Sequence, residues 1–211
     1  MRYIVRRTIL LIAAVCICLG AAACGRETVI VTDDGATTEL SYTDMDVKQY
    51  IKSITYKGFE ISLDSAEHSR EEALWDVILE NAEIESYPED KVNYYFEQEK
   101  AYYMYLVGND SDDYETLLSV RGVTEEGMLD DARRMVAKDL IYRWIAETEG
   151  ITLTDGEKEM HFDRYAEKYV LDYGYTKSYV TENMSDEIYE SMLYDKVMEY
   201  LILQNTFVTP N

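Results

Sequence analysis

Proline is nearly missing from this chain, with two residues in 211, Pro88 and Pro210, and glycine is sparse at ten. Pro88 alone therefore offers an internal proline break, and long helices can run uninterrupted between the few glycines. Histidine occurs twice, at His68 and His161, and cysteine three times, at Cys16, Cys18 and Cys24. Every cysteine lies at or before position 24, so the remaining chain can build neither a disulfide framework nor a thiolate metal site. No Gly-rich phosphate loop, G-x-S-x-G elbow or H-E-x-x-H pair is present. Glu157 and His161 share a helix face at i and i+4, yet no second histidine stands near them. The expectation is no metal, no cofactor, no catalytic residue and no enzyme. Positive charge is also scarce, with 20 Lys and Arg against 42 Asp and Glu and a net charge of -22. A nucleic-acid backbone would be repelled by such a surface, which excludes it as a partner.

What the chain does have begins at its first residues. Arg2, Arg6 and Arg7 form a basic lead, Ile9 to Leu19 an apolar run shorter than a bilayer span, and Ala21-Ala22-Ala23 a small-residue site before Cys24. This reads as a lipoprotein signal peptide over 1–23. Cys24 is then diacylated and becomes the first mature residue, and two acyl chains suffice for stable anchoring. The expected location is the extracytoplasmic face of the cell membrane. Residues 24–48 are acidic and aperiodic and read as a tether, with Val29 to Val31 as a short strand. Residues 49–68 read as a short β-like lead-in around ITYKGFEISL, either a hairpin or a lone strand lying on helices.

Helical patterns fill 69–208. Ser69 and Glu72 have capping-box spacing, and Pro88 suits the first turn of an aromatic-rich helix. On that helix Val92, Tyr95, Phe96, Tyr103 and Leu106 form a core stripe, so Tyr94, Tyr102 and Tyr105 point elsewhere. The stretch 124–157 reads as one long helix with Leu129, Ala132, Val136, Leu140 and Trp144 on its apolar face and charge on the other. Gly150 stops it, and a second capping box, Thr154 with Glu157, restarts helix. Phe162, Tyr165, Tyr169 and Val170 make a further stripe, ended by Gly174. A short helix holds Tyr179, and a last one runs through Met192, Val197 and Leu201.

The order of these pieces resembles the C-terminal chaperone domain of bacterial trigger factor, with likeness to SurA-type helical domains. The resemblance is carried by REEALWDVILENAEIESYPEDKV, by DDYETLLSVRGVTEEGM, by ARRMVAKDLIYRWIAETEGI followed by T-x-x-E, and by YDKVMEYLILQNTFV. It spans about Ser69 to Val208. It implies an all-α helical bundle with protruding arms, acting as an ATP-independent holding chaperone for unfolded or exported polypeptides. Leu63 to Ser69 leaves no room for that family's isomerase domain, and nothing matches its basic ribosome-docking domain, so neither isomerase activity nor ribosome contact is expected. Twenty tyrosines and nine methionines suit a surface that binds many sequences loosely. The expected contact residues are Tyr94, Tyr102 and Tyr105, with Tyr173, Tyr175 and Tyr179 as the other candidate patch. A rival reading is an envelope adaptor that binds one folded partner.

Overall fold

The computed structural model describes residues 30–31, 37–38, 42, 45–63 and 69–209. Cys24 and the signal segment 1–23 lie outside the described residues. Among the described residues seven α-helices dominate: α1 Arg70–Glu80, α2 Glu89–Leu106, α3 Ser111–Arg121, α4 Glu125–Glu149, α5 Asp155–Tyr173, α6 Lys177–Asn183 and α7 Ser185–Gln204. Their ends follow local chemistry. Both expected capping boxes form, at Ser69 with Glu72 and at Thr154 with Glu157. Asp110 caps α3 by accepting from the Asp112 and Asp113 amides, and Thr124 caps α4 through the Gly127 amide. Gly122, Gly150 and Gly174 close α3, α4 and α5 in the left-handed conformation that glycine adopts at least cost.

Six short strands among the described residues pair two by two: β1 Ile30–Val31 with β2 Thr37–Thr38, β3 Ile51–Ile54 with β5 Ala82–Ile84, and β4 Glu60–Ser62 with β6 Thr206–Val208. The first two ladders are antiparallel, and the third is parallel, with Ile61 opposite Phe207. The lead-in is thus neither a hairpin nor a lone strand. Its two strands are stitched to partners before α2 and after α7. The Asn205 side chain secures the β4–β6 ladder by accepting from the Phe59 amide at 2.9 Å and donating to the Tyr56 and Leu201 carbonyls at 3.1 and 2.8 Å. A 3-10 turn, Val47–Tyr50, precedes β3. Tyr42 and Val47 are buried in the main core, so the tether reading stops short of Tyr42.

The buried side chains fall into three clusters. The body gathers Leu74, Trp75 and Ile78 of α1, the C-terminal half of α4, and Tyr194, Val197 and Leu201 of α7 around the lead-in. A first arm has its own small core of Tyr103, Tyr114, Leu118 and Met128, built from the end of α2, α3 and the start of α4. A second arm is built from α5, α6 and the start of α7 around Tyr165, Tyr169, Val180, Met184 and Ile188. The long helix α4 runs from the first arm into the body. In its C-terminal half it is buried beyond the expected stripe, because Asp139 and Arg143, on the face read as charged and solvated, are also inside.

Candidate functional site

The six tyrosines expected to meet clients separate in the structure. Tyr94 is buried in the body with its ring edge-on to Tyr95 at 5.5 Å, which corrects its placement on an outward face. At its root α2 is covered on two sides, and one apolar stripe does not describe what is buried there. Leu106, expected in the core, is exposed at the far end of the same helix. Tyr102 is half-buried in the first arm, its ring edge-on to Tyr103, and Tyr105 is half-buried one turn on. Tyr175 and Tyr179 stack at 5.2 Å on the second arm, where Tyr179 is 45% exposed. The side chain of Tyr173 lies outside those described.

Sequence reasoning missed the apolar residues that stand in solvent. Val120 on the first arm is 81% exposed, and Met160 and Leu171 on the second arm are 75% and 83% exposed. Met160 and Leu171 are three turns apart on α5 and so share a face. The available signal was an apolar residue off the Phe162-Tyr165-Tyr169 stripe, where an amphipathic helix ordinarily carries charge. Around these side chains the arms are acidic, and several of their cations are committed. Lys177 reaches Asp163 at 3.3 Å, Lys100 pairs with Glu125 at 2.9 Å, and Lys196 pairs with Glu157 at 2.5 Å. Among the described residues no group of three or more His, Cys, Asp or Glu could hold a metal ion. Glu157 instead serves its cap and Lys196.

Both arms are rooted on one buried polar cluster. Asp139 of α4 accepts from the Tyr95 hydroxyl of α2 at 2.6 Å, at the base of the first arm. Arg143, one turn further along α4, lies 2.9 Å from the Glu190 carboxylate of α7, at the base of the second arm, and Tyr142 donates to the same oxygen at 2.6 Å. The Arg143 guanidinium lies over the rings of Tyr42 and Tyr142, 4.2 and 4.5 Å from their centroids. Burial pushes the Asp139 carboxyl up, against the opposing pull of Arg143 and the tyrosine hydroxyls. Burial also raises Tyr42, Tyr95 and Tyr142 well above the usual phenol range, which keeps them as donors. For Arg143 burial works against the charge, but the neighbouring Tyr142, Asp139 and Glu190 outweigh it and hold the cation.

A helical body carrying two arms, each with its own core and with apolar side chains left in solvent, defines a scaffold that offers surface to a polypeptide. The family model described as the bacterial trigger factor protein C-terminus matches residues 46–203, well over half of the chain, and the chain belongs to that family. The match begins in the lead-in, in accord with the burial of Val47 and Ile51 in the body. No curated protein and no solved structure matches the chain. Membership carries a chaperone-like role in binding unfolded polypeptide.

Proposed function

We propose that the protein is an extracytoplasmic holding chaperone, anchored to the membrane by lipid on Cys24, which binds unfolded or exported polypeptides without ATP and without isomerase activity. The observation that carries the reading is the set of exposed Val120, Met160, Leu171 and Tyr179 on two arms whose cores are already packed. Burying one such side chain is worth about 1.5–3 kcal/mol. Two or three engaged together give a gross ~3–9 kcal/mol, from which ordering of the client subtracts, so contacts are weak and exchangeable. Weak, exchangeable contact is what holding without an energy source requires. The short link from Ser62 to Arg70 supports the lack of an isomerase insertion, and the charge of -22 opposes docking on RNA. The basic-apolar-small lead before Cys24 supports the anchor and the location.

The test is suppression of aggregation of unrelated denatured proteins by the chain from Gly25 onward, compared with a Met160→Ser, Leu171→Ser, Tyr179→Ser variant. The variant should suppress several-fold less at an unchanged melting temperature. Equal suppression by both would remove the second arm from the reading. No suppression by the unmutated chain, with capture of a single folded protein, would favour the adaptor.

A further inference from the structure

Tyr42 occupies a place that the chaperone reading does not use. Its ring is buried in the core of the body, yet charged groups lie against it as well. Arg143 faces it at 4.2 Å, Lys91 of α2 lies 5.4 Å from its centroid, and burial, with the Asp139 carboxylate behind it, raises its hydroxyl's pKa. Lys91 in turn is buried and pairs with Asp90 at 3.2 Å. These groups belong to the cluster in which both arms are rooted. Tyr95 connects it to the first arm, and Glu190 connects it to the second. Tyr42 reaches it from outside the helices, from the segment that comes before α1. The same lead-in is held to α4 a little further on, by buried Val47 and by Lys48 at 3.2 Å from Glu147.

A buried guanidinium shared by two carboxylates is held in place only while its open face is covered. The ring supplies that cover, as a π face on the cation and as a plug against water. We propose that Tyr42 is a latch, by which the lead-in locks the Asp139-Arg143-Glu190 junction and thereby fixes both arms on the body. With the ring in place, Asp139, which is buried, and Glu190, which is partly exposed, both stay on Arg143, and α2 and α7 keep their setting on α4. Withdrawal of the ring hydrates the junction. Water then competes for the Tyr95-Asp139 and Arg143-Glu190 contacts together, so both arms loosen at once while the α1-α7 core of the body stays packed. The latch does not depend on the anchoring or holding activity.

Hydrogen exchange on the full chain tests this directly, since it reads each element separately. Tyr42→Ala should raise exchange of the α2 amides beyond Tyr95 and of the first turns of α7 by about tenfold or more, the scale of a desolvated cation–π contact. Amides of α1 and of the C-terminal half of α7 should hold their protection. Tyr42→Phe, which keeps the ring on Arg143, should behave like the unmutated chain. Val47→Ala, a cavity in the same lead-in away from the junction, should leave both arm roots protected. If Tyr42→Ala does not fold, Tyr42→Leu gives the answer, because it fills the volume without offering a π face and should loosen the same two regions. Unchanged protection at either arm root, or a rise spread evenly through the domain as for any core cavity, would overturn the latch. Loss of holding with unchanged exchange would bear on the chaperone reading and would also count against the latch.

Discussion

Tyrosine serves here as a hydrogen-bonding strut more than as an oily filler. Tyr95 donates to Asp139, Tyr142 to Glu190, Tyr194 to Glu71, Tyr165 to Asp195, and both Tyr56 and Tyr200 to Glu149. A phenylalanine would fill the same space and leave each carboxylate short of a donor, which accounts for tyrosine at these six positions. Glu149 shows the effect most plainly. Hydrogen bonds from Lys57, Tyr200 and Tyr56 hold its carboxyl down to about 2, against an ordinary 4.5. Because the folded pKa is depressed, the stabilisation is complete above about 4.5 and is lost as pH falls toward 2. Urea unfolding of Glu149→Gln should therefore show a deficit at pH 7 that closes across that window. A deficit that stays constant down to pH 2 would mean that the donors hold the neutral acid equally well.

At the scale of elements, the joint between α4 and α5 decides where the second arm leaves the body. Gly150 has φ 66, its neighbour's amide closes back on the Ala146 carbonyl at 2.8 Å, and Lys196 ties down the Thr152 carbonyl at 2.8 Å. A Cβ at Gly150 would meet nothing within 4 Å, so the cost of Gly150→Ala is backbone strain alone. We expect a loss of about 1 kcal/mol, seen as a drop of roughly 2–4 °C in Tm. An unchanged Tm would mean that the joint relaxes to a conformation alanine accepts. This joint was legible in the sequence, as were the capping boxes at Ser69 and Thr154, because each is set by residues within four positions of one another; Pro88 stands one place ahead of the first turn in which it was expected. The arm roots were not. Burial of Asp139 and Arg143 depends on Tyr42, Tyr95 and Glu190, which reach them from elsewhere in the chain, and helical periodicity assigns any charged residue to solvent. The same limit hid the inward turn of Tyr94 and the pairing of β3 and β4, whose partners lie before α2 and after α7.

For the whole molecule, the proposed anchor makes the plainest prediction. Cys24→Ala should leave the chain at precursor size and without acyl label after metabolic labelling. Normal processing and retention in that variant would remove the lipid from the account. Closure of the body raises a different matter, that of timing. Glu60–Ser62 pairs with Thr206–Val208 in a parallel ladder, so β4 finds its partner only in strand β6, after α7. Contacts of such sequence separation form late and slowly, because the loop they close is nearly the entire domain. The arms, built from neighbouring helices, can assemble on a chain still being made or translocated. The body cannot close until Val208 is free of whatever delivers it, and until then Ile61 and Phe207 each lack the strand that sits beside them in the finished fold.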